Sequence, residues 1–308
     1  MNIVVINKKN GLLSHCNQKE RSISVVSLLK KYDIKLYEAE DSLRDGIVHR
    51  LDKDTSGLMV LAKSLFSYKS LIDQFRDRKV IKVYKAYCWG IPTPIAGTID
   101  KPISNYLNRK KTSIEGRHAI TNYKVTKNFK NYFSEIECKI LTGRTHQIRV
   151  HMQSINCPLI GDQLYSKNRN ISQSFSGNIR NFLKDFRRQA LHAMHLSFMH
   201  PNNKKMKSFF VEMPRDMITN TIIVGTVVQS QLTRICLPYF LKRKQKNCVM
   251  NITSQCIFPT FGFGQIMENN VNTAEFEPNN FVETLPDKVE IQSLIKAGIK
   301  IINNRVYG

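Results

Sequence analysis

Acidic residues are scarce in this sequence, and several common motifs are missing from it. The 308 residues include 24 Asp and Glu against 47 Lys and Arg. The seven cysteines contain no C-x-x-C pair, which argues against a zinc ribbon, and their odd number argues against a disulfide framework. The longest apolar run, at residues 222–228, is far too short to span a membrane. Together these absences predict a cytoplasmic protein with no metal site and no membrane partner.

The basic charge that is present is unevenly distributed along the chain. The formal net charge is +23, and residues 217–308 hold nine Lys/Arg and six Asp/Glu, a net +3, which leaves +20 for residues 1–216. A positive field of this size attracts polyanions, most often nucleic acid. An anionic membrane is the alternative, but no basic amphipathic helix stands out to bind one. We therefore expect a nucleic-acid-binding domain at residues 1–216 and an extension at residues 217–308.

A single carboxylate stands out in the charged stretch at residues 44–63. Asp52 lies between Arg50 and Lys53, and an apolar run follows it. The pattern predicts a strand, a tight loop and a second strand. Nearby positive charge favours the ionised carboxylate, which can act as a nucleophile or a base. The alternatives are a solvated hairpin turn, or a hydrolase that uses Asp52 and Asp54 as paired carboxylates, although so cation-rich a pair is poorly suited to offer a protonated acid.

Two further stretches carry candidate functional side chains. Residues 80–90 form a predicted strand whose alternation places Lys82 and Tyr84 on one face, where an aromatic ring beside a cation can stack on a base. The alternative for Tyr84 is an ordinary core position. In residues 141–152, Thr145 is a predicted helix N-cap, after which His146 and Arg149 share a face. A zinc site is a weak alternative there, based on four histidines: His146, His151, His192 and His195.

These stretches belong to a set of six sequence segments: His49-Arg50-Leu51-Asp52, Thr55-Ser56-Gly57-Leu58, the Lys82/Tyr84/Ala86 pattern, Gly143-Arg144-Thr145-His146-Gln147-Ile148-Arg149, Pro158-Leu159-Ile160-Gly161-Asp162 and Gln189-Ala190-Leu191-His192-Ala193. Together the six segments resemble the sequence motifs of the RluA-like family of RNA pseudouridine synthases, over about residues 2–216. One departure is the turn at Lys8-Lys9-Asn10-Gly11, where the family pattern has a proline after the lysine. Asn10-Gly11 can still form a turn, because both residues tolerate positive φ.

The resemblance implies a function and a role for each candidate residue. It implies isomerisation of specific uridines to pseudouridine, in large-subunit ribosomal RNA, whose enzymes this sequence resembles more, or in transfer RNA. The reaction transfers no electrons and loses no group, so no cofactor is expected, and we expect a monomer. Asp52 becomes the catalytic carboxylate, Arg149 its ionic partner and Tyr84 the residue that contacts the target base. Arg50 would help to displace the base from its stack, and Lys82, Arg144 and His146 would bind the substrate. A non-catalytic RNA-binding protein of the same fold is the alternative.

The implied fold is α+β, with a bent, mostly antiparallel central sheet flanked by helices. Helices are expected at residues 24–32 and 64–78. Strands are expected at 2–6, 80–90, 134–141 and 209–213, with Glu135, Glu137 and Lys139 facing outward. In the extension, residues 258–280 are expected to be disordered. A helix at 289–297 and a strand at 299–302 resemble part of a small RNA-binding domain, which suggests a partial module at residues 285–308.

Overall fold

The computed structural model describes residues 2–16, 22–107, 109–129, 132–166, 171, 173, 175, 177–217 and 299–301. The predicted helix at 289–297 and the region 258–280 lie outside these residues. The strands are β1 (Ile3–Lys8), β2 (Ser56–Ala62), β3 (Ile81–Trp89), β4 (Ala96–Asp100), β5 (Ile103–Tyr106), β6 (Arg109–Thr112), β7 (Ile120–Phe129), β8 (Phe133–Ile140), β9 (Leu191–Met199), β10 (Met206–Phe210) and β11 (Ile299–Ile301). The helices are α1 (Val25–Lys31), α2 (Leu65–Arg76), α3 (Gln147–Ser154) and α4 (Gly177–Asp185), with a 3-10 turn at Ser42–Arg44.

A mixed sheet organises the described part of the chain. Its strand order is β11-β1-β2-β9-β3-β8-β7-β4, and β10 pairs with β9 beside this path. Among the described strands, β2 and β9 form the parallel pair, and the other pairs are antiparallel. Strands β5 and β6 form a separate hairpin. The predicted fold class, α+β with a mostly antiparallel sheet, is confirmed.

Apolar side chains cover both faces of this sheet. Along β2, Met59 and Leu61 pack in a cluster with α1 and α3, whereas Leu58 and Val60 pack in a second cluster with α2. Alternate residues of a strand point to opposite faces, so a strand covered on both sides must be apolar throughout. This explains the apolar run at residues 57–62 of β2, and every residue of the strand is buried. No helix of the described residues is long and apolar enough to cross a membrane.

Local capping signals explain why the two predicted helices form. Ser24 accepts a hydrogen bond from the backbone N–H of Ser27 and begins α1. Ser64 accepts one from Ser67 and begins α2. Each serine oxygen satisfies one of the backbone donors that a helix start leaves unpaired. Both helices are confirmed within two residues of the predicted bounds.

Two expectations about strands and one about a side chain were wrong. No strand precedes the loop that carries Asp52, because residues 42–50 form a 3-10 turn and irregular backbone. The closing strand is β10, which ends at Phe210 and not at Met213. Glu135 does not face solvent: its side chain is 3% exposed and bonds Lys85, Tyr87 and Thr126. Neighbouring strands on both sides supply partners for this carboxylate, which alternation within one strand cannot indicate.

The strand expected at residues 299–302 is present as β11, and it pairs with β1. Its register places Ile301 opposite Ile6 and Ile299 opposite Lys8. We propose that residues 1–216 form the catalytic domain and that residues 217–308 extend it through this strand. A chain that ends after Met217 would keep the apolar cluster in which Met217 is buried. It would lose β11 and expose the hydrogen-bonding edge of β1.

We expect this truncated chain to unfold cooperatively at a lower urea concentration than the full chain, and still to modify a short RNA stem-loop. Urea unfolding and a pseudouridine assay check the two parts. Lys300→Pro in the full chain, compared with Lys300→Ala, is the matched control, because both variants lose the lysine side chain and only the proline removes a backbone donor from β11. An insoluble truncated chain would show that the extension completes the core, and the proposed boundary would be wrong.

Candidate active site

The loop that carries Asp52, residues 50–55, leads directly into β2. Its start is held by Ser14, whose hydroxyl donates to Leu51 O at 2.7 Å and accepts from Leu51 N at 3.0 Å. Its end closes on itself, since Thr55 N donates to Asp52 O at 3.1 Å. Gly57, just after the loop, has φ of +118°, and a Cβ there would lie 2.3 Å from Ala193 O on β9. Only glycine permits this close approach, which fixes the loop against β9.

A buried lysine, Lys8, also holds the Asp52 loop in place. Lys8, at the end of β1, is fully buried and donates to Lys9 O, Leu12 O and Lys53 O at 2.8–3.0 Å. Burial lowers the pKa of Lys8 to about 7, although the charges of Asp52 and Asp54 oppose this effect. The turn at residues 8–11 lacks the family's proline. Its first residue, Lys8, nevertheless bonds it to the Asp52 loop at Lys53 O.

Asp52 pairs with Arg149, and Arg149 pairs with a second carboxylate. Arg149 Nη1 donates to Asp52 Oδ2 at 3.0 Å. On its other side, Arg149 Nε and Nη2 donate to the two oxygens of Asp162 at 2.7 and 3.0 Å. The Asp162 side chain is fully buried, that of Arg149 is 6% exposed and that of Asp52 is 18% exposed. The bidentate pair with Asp162 orients the guanidinium of Arg149. The remaining nitrogen, Nη1, is thereby directed at Asp52, the more exposed of the two carboxylates.

The two neighbouring carboxylates keep Arg149 protonated although it is buried. Burial lowers the pKa of Arg149, but the hydrogen bonds and charges of Asp162 and Asp52 raise it above its ordinary value. Asp162 is itself fixed, because its Oδ1 also accepts from Leu164 N at 3.0 Å and Tyr165 N at 3.1 Å. Asp162 lies in one of the segments that resemble the family. Its role could not be derived from the sequence, because the pair joins α3 to a turn 13 residues later.

His146 approaches Asp52 from the start of α3. Its Nε2 lies 3.9 Å from Asp52 Oδ2, and its Nδ1 lies 2.9 Å from the hydroxyl of Tyr165. Burial lowers the pKa of His146 despite the opposing charge of Asp52. The N-cap predicted at Thr145 was wrong. His146 occupies that position with φ of +57°, and its side chain turns to Tyr165 and makes no capping bond.

Strand β3 contributes Tyr84 and Lys82 to the opposite wall. Tyr84 is 7% exposed, and burial together with the charge of Asp52 raises the pKa of its hydroxyl. Burial also lowers the pKa of Lys82 to about 8. Lys82 Nζ lies 5.6 Å from the ring centre of Phe75, which in turn stacks on His49 at 4.7 Å. His49 accepts from Val60 N at 3.1 Å, and burial lowers its pKa to about 3, so it is a neutral support for this wall.

All seven side chains to which the family resemblance assigns a role line one cleft. They are Arg50, Asp52, Lys82, Tyr84, Arg144, His146 and Arg149. The volume of the cleft is about 540 Å³, within the range of about 300–1,000 Å³ usual for ligand sites. Asp52 is the single carboxylate among the described residues that line it. Six described cations line the same cleft: Arg50, Arg76, Arg78, Lys82, Arg144 and Arg149. Arg144 is further oriented by a 3.0 Å bond from its Nε to His118 O. Such a cleft suits a polyanionic substrate, because the cations attract its charges while one uncharged group of the substrate lies next to the Asp52 carboxylate.

The four histidines of the zinc alternative do not converge. His151 bonds Thr121 Oγ1 and Lys101 O, His192 bonds Ser56, and His195 bonds Ser208, each within 3.0 Å. Within the described ranges, no group of three or more His, Cys, Asp or Glu side chains is placed to hold a metal ion. The zinc alternative therefore has no support from the geometry.

Comparison with known proteins gives the family. Residues 2–154 match the family described as RNA pseudouridylate synthase. The chain is 42% identical over 218 residues to ribosomal large subunit pseudouridine synthase D of Buchnera aphidicola subsp. Acyrthosiphon pisum, which covers 70% of this chain and 68% of that protein. This chain belongs to the RluA-like family of RNA pseudouridine synthases. It is therefore an isomerase that acts on RNA, as its sequence motifs predicted.

Two further similarities agree with this assignment. The chain is 36% identical over 219 residues to the enzyme of the same name from Haemophilus influenzae, covering 70% of this chain and 66% of that one. The structure of human RNA pseudouridylate synthase domain containing 4 superposes with a TM-score of 0.57 at 26% identity, covering 73% of this chain and 90% of that chain.

Proposed function

We propose that this enzyme isomerises specific uridines in large-subunit ribosomal RNA and that Asp52 is its catalytic carboxylate. The observation that carries the proposal is the accessible Asp52 carboxylate, held by the buried pair of Arg149 and Asp162 within a cleft of cations. The names of the similar bacterial enzymes, ribosomal large subunit pseudouridine synthase D, support ribosomal RNA as the substrate.

The proposed reaction leaves the atomic composition of the nucleotide unchanged. The bond between ribose C1′ and uracil N1 breaks, the uracil turns within the cleft, and C1′ joins uracil C5. The C5 proton leaves and N1 gains a proton, so no electrons are exchanged and no cofactor is consumed. Asp52 either attacks the ribose or removes a ribose proton to release the uracil, and the geometry is compatible with both roles.

The other cleft residues have complementary proposed roles. Arg149 holds the carboxylate in place through the 3.0 Å bond. Tyr84 stacks on the base, and because its raised pKa keeps the hydroxyl protonated, it acts as a donor and not as a base. Arg50 is exposed at the mouth of the cleft, where it can take the place of the displaced base. Lys82, Arg144 and His146 contact the nucleotide and its phosphates.

An in vitro assay on unmodified RNAs tests the substrate. The purified full chain is incubated separately with large-subunit ribosomal RNA, small-subunit ribosomal RNA and a transfer RNA pool, and pseudouridines are mapped. We expect new pseudouridines at a few defined positions of the large-subunit RNA. Modification of transfer RNA alone would overturn the ribosomal assignment while leaving the reaction intact.

RNA affinity should fall as pH rises through about 8, because Lys82 then loses its charge. An RNA phosphate that raises the pKa of Lys82 by about one unit makes the affinity fall by up to tenfold above that pH. Measuring Kd from pH 7 to pH 9 at constant ionic strength checks this. Arginine stays protonated throughout this range, so Lys82→Arg should remove the dependence. The same pH dependence in both proteins would exclude Lys82 as a phosphate contact.

A further inference from the structure

Arg188 contacts both the Asp52 loop and a short segment that follows β10. Arg188 lies between α4 and β9 and is 6% exposed. Its Nε and Nη2 donate to the two carboxylate oxygens of Asp216 at 2.6 and 2.9 Å. Asp216 is placed by its chain neighbour Met217, which is fully buried in an apolar cluster and donates its backbone N–H to Pro214 O. The bidentate pair of Arg188 and Asp216 therefore joins the segment that leads into β9 to the segment that follows β10.

The third nitrogen of the same guanidinium contacts the Asp52 loop. Arg188 Nη1 donates to Asp54 O at 3.3 Å and to Gln189 O at 3.1 Å. The next side chain, Gln189, donates from Nε2 to Thr55 Oγ1 at 3.1 Å. Arg188 and Gln189 thus hold two consecutive residues of the loop, 134 positions away in sequence.

Two buried basic side chains, Lys8 and Arg188, hold the backbone of this loop. Lys8 donates to the carbonyl of Lys53, and Arg188 donates to the carbonyl of Asp54. Residues 50–55 have no regular secondary structure, so these contacts and the Ser14 bond determine where the backbone of Asp52 lies. The planar fork that binds Asp216 also sets the direction of Nη1, because a guanidinium is rigid.

We propose that Arg188 and Asp216 are positioning residues for the isomerisation, and that they latch the Asp52 loop in its productive position. The proposal rests on the role assigned to Asp52 above. Neither residue lines the cleft, so neither contacts the RNA there. Asp216 orients Arg188, Arg188 holds Asp54 O, and the loop between Asp54 and Leu51 then keeps Asp52 within reach of Arg149. Loss of the latch should slow the chemical step and leave RNA binding unchanged.

Four variants of the full chain test the latch. Asp216→Asn keeps the shape of the side chain but removes one of the two acceptors. Asp216→Glu keeps the carboxylate, and Arg188→Lys keeps the charge but loses the planar fork. Asp41→Asn is the matched control, since Asp41 is 44% exposed and pairs with Arg44, as Asp216 is 41% exposed and pairs with Arg188.

We expect kcat to fall by about 10- to 100-fold in Asp216→Asn and Arg188→Lys, the size of effect that a misplaced reacting group produces. KM and the Kd for RNA should stay within about twofold of wild type, and Asp216→Glu should recover most of kcat. Asp41→Asn should match wild type in all three quantities. A pair that only stabilises the fold would lower the fraction of folded enzyme without changing kcat per folded molecule, and that result would overturn the proposal.

Hydrogen exchange separates failure of the latch from failure of the proposed function. The amide of Thr55 donates to Asp52 O, so its exchange reports the closed loop independently of any reaction. We expect this amide to exchange at least about tenfold faster in Asp216→Asn, while amides in the centre of β3 stay unchanged. Unchanged exchange at Thr55 would overturn the latch even if kcat falls. Faster exchange in an enzyme whose wild type forms no pseudouridine would sustain the latch and overturn the proposed function instead.

Discussion

Arg149→Met should lower the free energy of unfolding by about 3–5 kcal/mol and abolish measurable turnover, because it leaves a buried carboxylate without its counter-charge. The Asp162 side chain is fully buried, and two of its bonds come from Arg149. Methionine fills a similar volume but cannot donate to either carboxylate. Urea unfolding measures the first effect, and pseudouridine formation per folded molecule measures the second.

A double variant separates stability from catalysis. Adding Asp162→Asn to Arg149→Met removes the uncompensated charge, and the amide oxygen can still accept from Leu164 N and Tyr165 N. We expect most of the lost stability to return and activity to stay absent, since Asp52 still lacks its partner. Arg44→Met is the control for an exposed pair and should change stability by less than about 0.5 kcal/mol. Recovery of activity in the double variant would show that Arg149 serves only the fold.

Local patterns in the sequence predicted the elements that carry the site. The alternation in residues 80–90 placed Lys82 and Tyr84 on one face of β3, and both line the cleft. The helices expected at residues 24–32 and 64–78 are present, and each begins at a serine N-cap, which is a local signal. Asp52, Tyr84 and Arg149, which the sequence motifs indicate, line one cleft to which the Asp52 loop, β3 and α3 each contribute a residue.

Contacts between distant segments could not be predicted in the same way. Asp162 and Arg188 each act through a partner from another part of the chain, and no spacing rule joins residue 149 to 162 or residue 188 to 54 and 216. Glu135 was expected to face solvent because alternation within one strand says nothing of the neighbouring strands. Thr145 is a residue type that favours N-caps, but the cap position is taken by His146, whose side chain contacts Tyr165, 19 residues later.

Asp52→Asn should lower pseudouridine formation by about four orders of magnitude or more, the scale of loss when a reacting side chain is removed from an enzyme. Its RNA affinity should stay within a few-fold of wild type, because six described cations still line the cleft. Asp54→Asn is the matched control, since it removes a carboxylate from the same loop and leaves the backbone carbonyl that Arg188 holds. That variant should keep most of the activity.

The most direct measurement is the yield of pseudouridine in one large-subunit RNA fragment, with the wild-type chain and with Asp52→Asn, at protein concentrations that saturate the RNA in both cases. The account predicts one pseudouridine per target site with wild type, no free uracil, and no detectable product with Asp52→Asn although the RNA is fully bound. Turnover by Asp52→Asn within a few-fold of wild type would contradict the assignment of Asp52 as the catalytic carboxylate.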